Sequence, residues 1–439
     1  MDQTEALIIE TIDRHREEIL EFARDIYSHA ELGYKEFQTS GKFVKKMEQL
    51  GLRTEKGFAI TGVKAYLNED KKENASLALL GELDALRIPE HAFANPETNA
   101  AHCCGHHAQM AGVFGAALAL TVPEIAEKLD GQVVFFATPA EEYGEIEFKN
   151  QLREQGKIRY GGGKCELLRI GAFDDIDLCL THHIRPGNEI LVGSGTGNGF
   201  VSKVIRVLGK ASHAAGAPEK GVNALSAASL GLQALGLNRE TFRDEDCVRV
   251  HPIITKGGNL VNVVPDEVVI ETLVRAANID AIVDADEKTS RAFTAGAYAI
   301  GSDYEITTLP GYLPNLAEEA NSAVLAAAEA ATAGTSYKVT KADTGLHSGG
   351  STDVGDLKHI QPVLTFNTGG KVSGLHSVDF DIVDEELAYI TTAKIFALSA
   401  YHLLKDGAAA AKKTVADYQP IYTKEEYVKF MDSMNRVEK

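Results

Sequence analysis

The chain runs to 439 residues, too long for one simple core, so two domains are expected, with room for one to be inserted in the other. Its formal net charge of -19, from 63 Asp and Glu against 44 Lys and Arg, repels phosphates. No basic run overrides it, which excludes nucleic acid and anionic membrane as partners. Five cysteines, of which only Cys103 and Cys104 are neighbours, form no disulfide framework and fit a reducing compartment.

The N-terminal MDQTEALIIETIDRHREEIL alternates charged and apolar residues at helical spacing. It lacks the basic start and unbroken apolar centre of a signal peptide, which predicts a cytoplasmic protein. The first thirty residues read as a helix and Thr39 to Leu50 as a second, closed by Gly51. Gly62 to Leu67 and Leu77 to Leu80 are short apolar runs, the latter leading into GELDALRIPEH, and His106 to Leu120 is a helix of small residues suited to close packing on a sheet. Gly131 to Ala137 is a buried strand, and IDLCLTHH repeats the pattern of an apolar strand, Ile176 to Leu180, running into polar chemistry. This alternation predicts an α/β fold, a mostly parallel sheet with helices on both faces. Near Gly193 the texture changes to SGTGNG, a glycine-rich hinge. A strand (Phe200 to Leu208), a helix (Val222 to Leu235) and strands at Val248 to Thr255 and Val268 to Val274 follow, the pattern of an inserted α+β domain. After Gly311 come a helix from Glu318 to Ala331, the loop HSGGSTDVGD, a strand at PVLTFNTG and a closing helix from Glu385 to Leu404. No apolar stretch reads as long enough to span a membrane, and the last thirty-odd residues are polar and carry no reading.

In His102-Cys-Cys-Gly-His106-His107, Cys104 and His106 are separated by one glycine at a helix start, so both reach a shared metal site. The same cluster also reads as a buried cysteine beside surface histidines, or as a Cys104 nucleophile with His106 as base, for which nothing nearby supplies an oxyanion hole. In ATPAEEYGE, Glu141 and Glu142 follow a buried strand at the end where open α/β sheets place their sites. Adjacent side chains point apart, so one carboxylate is free to bind metal while the other takes a proton from water. His182 and His183 follow the strand Ile176 to Leu180, and the strand Pro362 to Asn367 leads through TGGKVSG to His376. Asp84 in GELDAL reads either as a carboxylate that orients a ligand histidine or as a turn cap. Four strand ends or helix starts thus deliver Cys, His and Glu toward one edge of one sheet.

The segments SHAELGYKEFQTS, LLGELDAL, HCCGHHAQMAGVFGAALAL, ATPAEEYG, GAFDDIDLCLTHHIRP, GKASHAAGAPEKGVNALSA, GGNLVNVVP, GSTDVGD and GLHSVDF occur in this order between residues 28 and 380. They resemble the amidohydrolase branch of the co-catalytic metallopeptidases, the family of hippurate hydrolase, indole-acetyl-amino-acid hydrolases and aminobenzoyl-glutamate hydrolase; GELDAL and STDVGD look most like the last group. The resemblance implies a catalytic domain with a doubly wound sheet (1–196 and 311–439) and an inserted lid domain (197–310) that forms a homodimer. It implies two divalent metals, Zn2+ or Mn2+, with Co2+ or Ni2+ also suited to a mixed Cys, His and Glu shell. By position, Cys104, His106, Glu142, His183 and His376 fall on the family's ligands and Glu141 on its general base. His183 is chosen over His182 because His-Ile-Arg-Pro fits the family's His-Val-x-Pro. His213 matches the histidine sent into the partner subunit's site, and Asn262 and Arg275 match substrate-binding positions. Two departures stand out: His107 occupies a position where Asp or Asn is common, and Ile146 to Gly163 does not follow the family pattern, which makes it a candidate for shaping the substrate pocket.

The expected reaction is hydrolysis of an amide bond in an N-acyl amino acid, an aminobenzoyl-glutamate-like conjugate or a dipeptide. In it Glu141 takes a proton from metal-activated water and returns it to the leaving amine, while His213 polarises the carbonyl. The rival readings are a catalytically silent metal- or peptide-binding relative, against which the retained Glu141 and Glu142 argue, and a cysteine hydrolase using Cys104.

Overall fold

The computed structural model describes residues 1–439 throughout. Along the strand Ser76–Glu82, Leu77 and Leu79 enter one core and Ala78 and Leu80 the other; along Gln132–Thr138, Val133 and Phe135 alternate in the same way with Val134 and Phe136. Side chains of period two that are apolar on both faces belong to a sheet covered on both sides. These two strands, with Leu178–Pro186 and Val363–Val372, make the parallel centre of a nine-stranded sheet whose outer strands include antiparallel pairs. The expectation of an α/β fold with a mostly parallel central sheet is met.

The helix His106–Leu120 is buried along its whole length. Small residues make this feasible: a Cβ on Gly115 would lie 2.5 Å from Ala393 Cβ, so the neighbouring helix Thr392–Leu404 approaches its backbone directly. The segment Glu386–Leu404 corrects one expectation, since it is long and apolar enough to cross a membrane, but 94% of its apolar window is buried inside the protein. It is a core helix.

A second, antiparallel sheet of six strands contains Gly199–Leu208, Glu267–Ala276 and Asp303–Tyr312. The helices Ala224–Asn238 and Ile279–Ile300 cover one of its faces, where Val201, Ile205 and Val207 meet Ala228 and Phe293. The strand expected over 248–255 is split into Arg249–Val250 and Ile253–Lys256, because Pro252 has no N–H for the ladder. The helix Ile279–Ile300 was not anticipated. Its inner face carries the buried Asp286, 2.6 Å from the fully buried Lys203 Nζ, which blurs the apolar stripe. The polar tail is ordered as well: helices Ala409–Asp417 and Lys424–Ser433 lead to a strand, Arg436–Glu438, paired with Asp303–Tyr312. Tyr427 on that tail donates to Asp356 Oδ1 at 2.9 Å.

Candidate metal centre

Cys104 and His106 flank Gly105, whose φ of 92° is left-handed and whose absent Cβ would lie 2.2 Å from Ile184 Cγ2. Only glycine fits between them. Glu141 and Glu142 sit in the turn after Gln132–Thr138, where Ala140 also has a left-handed φ of 50°. His376 lies in the loop after Val363–Val372, with its N–H donating to Cys103 O at 2.9 Å. His182 and His183 depart from expectation, because the strand continues through both of them to Pro186. Consecutive strand residues face opposite ways. His182 Nε2 meets Thr368 Oγ1 at 2.7 Å among Phe366 and Phe396, while His183 Nε2 lies 3.4 Å from Cys104 Sγ.

Two triplets of donors share Cys104, one with His106 and His183 and the other with Glu142 and His376; a third set, Glu82 with His106 and Glu141, lies beside them. Within each the donor atoms all lie within 4.8 Å of one another. The donors fit a pair of borderline divalent cations by type, and two orphaned atoms support the fit. His106 Nε2 and Glu142 Oε1 are buried without a hydrogen-bond partner although Glu82 Oε2 and His376 Nε2 stand 3.1 and 2.9 Å away. Burial raises the Glu142 carboxyl, but contact with His376 outweighs it and holds the group at about 2. Burial, then the charges of Glu82 and Glu142, pushes Glu141 well above the usual carboxylate range. Burial and the Glu142 charge push the Cys104 thiol up too, which works against a free thiolate nucleophile.

Asp84 acts through two atoms. Its main-chain carbonyl stands 2.8 Å from His106 Nδ1 and its Oδ2 accepts the Glu142 N–H at 2.8 Å, so it ties one donor from each triplet together. His107 faces away from the triplets, with Nε2 3.2 Å from Tyr389 OH and its ring centroid 4.6 Å from that of Tyr27. Burial, then the charge of His106, holds it down to about 3.

Beyond the expected residues, a third carboxylate, Glu82, faces the site. Its Oε1 is 2.5 Å from Lys164 Nζ, which also meets Asp353 Oδ1 at 2.7 Å, all three side chains being buried. Gln109 Nε2 donates to Glu82 Oε2 at 2.8 Å. Glu82 precedes Asp84 by two on one extended segment and so shares its face, a signal present in GELDAL; Lys164 gives none.

The triplets open on a cavity of about 850 Å³ that Glu82, Glu141, Arg275, Phe200 and Asn315 help to line. Arg275 reaches it from the second sheet, its Nη1 donating to Ser351 Oγ at 3.3 Å. Of the two positions that match substrate-binding residues, Arg275 lines this cavity and Asn262 does not. Asn262 and His213 are exposed on the second unit, joined by the Ala214 N–H to Asn262 O bond of 3.0 Å, and neither lines this cavity. No residue of 146–163 lines it either.

A family model described as peptidase family M20/M25/M40 matches residues 78–400. Among curated relatives, the chain is similar to a Xaa-Arg dipeptidase of Mus musculus, 28% identical over 304 residues, covering 68% of this chain and 64% of the relative. It is also similar to one of the subunits of p-aminobenzoyl-glutamate hydrolase of Escherichia coli (strain K12), 25% identical over 325 residues, covering 72% and 63%. The chain thus spans less than two thirds of the length of these relatives. In fold it resembles the crystal structure of a dinuclear metal binding peptidase from Bacillus subtilis, with a TM-score of 0.60, 22% identity, and coverage of 89% of this chain and 99% of that one. With the family model matched over most of its length, the chain belongs to peptidase family M20/M25/M40.

Proposed function

We propose that the chain is a metal-dependent hydrolase of the amide bond in an N-acyl amino acid, an aminobenzoyl-glutamate-like conjugate or a dipeptide. The observation that carries this reading is the pair of donor triplets sharing Cys104, with Glu141 outside both and grouped with Glu82 and His106 beside them. Two divalent cations, Zn2+ or Mn2+, held by Cys104, His106, Glu142, His183 and His376 would polarise a carbonyl and acidify water. The remaining work belongs to the chain's own residues. Glu141, buried and held above the usual carboxylate range by burial and by the charge of Glu82, takes the proton of the attacking water and passes it to the leaving nitrogen. Asp84 fixes His106 and the Glu142 peptide in register. Arg275, which has no carboxylate partner of its own, receives a substrate carboxylate.

The second unit, residues 197–310, serves in this reading as a lid and dimerisation domain. Its edge strand Ile253–Lys256 carries Ile253 and Ile254, exposed beside Leu260 and Val261. An open edge next to an apolar patch suits a second copy, which would bring His213 and Asn262 to its partner's cavity.

The test is a panel of N-acyl amino acids, aminobenzoyl-glutamate and dipeptides assayed with each metal. Glu141→Ala should lose about 10²-fold or more in kcat while keeping its metal. Wild-type rates in that variant would refute the assignment. Activity that survives chelation and is lost on thiol alkylation would instead favour Cys104 as nucleophile, the reading that its 3.4 Å contact with His183 keeps open.

A further inference from the structure

The segment 146–163 stays out of the cavity, yet both of its ends reach the turn that carries Glu141 and Glu142. Gly163 N–H donates to Ala140 O at 3.0 Å. From the helix Ile146–Glu154, Lys149 Nζ donates to Glu142 O at 2.7 Å.

The polar backbone groups of this turn are held from several elements. Ala140 N–H donates to Glu36 Oε1 at 2.8 Å, and Glu142 N–H to Asp84 Oδ2 at 2.8 Å. Tyr312 OH donates to Glu141 O. The peptide before Glu142 is therefore fixed at both ends, by Asp84 and by Tyr312. The peptide after it is fixed at its carbonyl by Lys149. With the first peptide held, only rotation about N–Cα of Glu142 moves its side chain, and that rotation carries the Glu142 carbonyl with it, so a held carbonyl holds the side chain.

Lys149 is 3% exposed and makes no ion pair. Besides the carbonyl, its ammonium meets the ring faces of Tyr143 and Tyr34, 4.6 and 5.7 Å from their centroids. Burial works against the ammonium, and the charges of Asp84, Glu36, Asp353 and Glu142 work for it, so it is held by surrounding carboxylates rather than by one ion pair, with its hydrogen bond spent on the Glu142 carbonyl.

We propose that Lys149 is a positioning residue, which locks the peptide after Glu142 so that the Glu142 carboxylate faces Cys104 and His376. The segment that departs from the family pattern would thereby brace the site from behind. This rests on the metal reading above, and it makes a selective prediction: only the triplet containing Glu142 depends on Lys149, while Cys104, His106 and His183 do not.

The experiment is a chelator-competition titration of Zn2+ against wild type, Lys149→Met and Lys149→Gln, with kcat and KM measured at saturating metal. In Lys149→Met one of the two ions should bind about tenfold to a hundredfold more weakly and the other within about twofold. At saturation kcat should fall about tenfold with KM little changed. Lys149→Gln, which keeps a shorter donor, should fall between Met and wild type. Wild-type affinities in Lys149→Met would overturn the proposal, as would equal weakening of both ions, which marks a scaffold role. Should Lys149→Met fail to fold, the same two outcomes are read from Lys149→Gln. If wild type binds both ions but cleaves nothing in the substrate panel, the hydrolase reading fails while the metal arm still decides the role of Lys149.

Discussion

Behind the Glu141–Glu142 turn, Glu36 is fully buried and accepts the Ala140 N–H at 2.8 Å and the Thr61 hydroxyl at 2.7 Å. Burial, followed by the charge of Asp84, pushes its carboxyl up to about 7. Unfolded, the group loses its proton near 4.5; folded, it keeps the proton to about 7, so stability falls as pH rises through that interval. Glu36→Gln keeps an acceptor for Ala140 and removes the titration. Its melting temperature relative to wild type should rise between about pH 4.5 and pH 7 and level off above pH 8, and a flat difference across that range would contradict the account. At this scale the sequence foretold which residues lie together where a motif coincided with a helix start, as at Cys104 and His106, or with a strand end or the loop after it, as at Glu141, Glu142 and His376. His183 was preferred to His182 on the motif His-Ile-Arg-Pro, and the strand that runs through both turns them to opposite faces. Lys164 was illegible because its partners, Glu82 and Asp353, arrive from positions 82 and 189 residues away in the chain.

Among the elements, the start of the helix His106–Leu120 matters most, since it aims two donors at once. Gly105→Ala places a Cβ at a φ of 92° and 2.2 Å from Ile184 Cγ2. We expect a loss of about 2 kcal/mol or more in stability, read by denaturant titration, together with weaker metal binding at both triplets because Cys104 belongs to each. Unchanged metal affinity would show that the helix start tolerates the shift. This helix was legible to the residue because small apolar residues run through it without interruption. The helix Ile279–Ile300 was not, because its buried face includes Asp286, Thr289 and Ser290, polar groups satisfied by Lys203, by backbone and by the C-terminal strand. The tail was illegible for a related reason. Tyr427 and Met431 bury on it against distant partners, while its exposed faces give it a polar composition.

For the whole molecule, the second sheet sends Phe200 and Arg275 to the cavity, while His213 and Asn262 lie exposed outside it. If a second copy covers the edge at Ile253–Lys256, sedimentation should give twice the chain mass of 47.3 kDa. Val261→Asp, which puts a charge on the most exposed apolar residue of that patch, should then give single chains that keep metal and lose turnover. A dimer that survives this change would place the contact elsewhere. The strands Phe200 to Leu208 and Val268 to Val274 of the second sheet were read from the sequence; the C-terminal strand that returns to that sheet was not. The sharing of Cys104 by two donor triplets is the centre of the proposed metal site, and elemental analysis of the purified protein tests it most directly. Wild type should carry two divalent ions per chain, matching the two triplets, and Cys104→Ala should lose most of both while remaining folded; a Cys104→Ala protein that retains both ions, or a wild type that binds none when offered Zn2+ and Mn2+, would contradict the account.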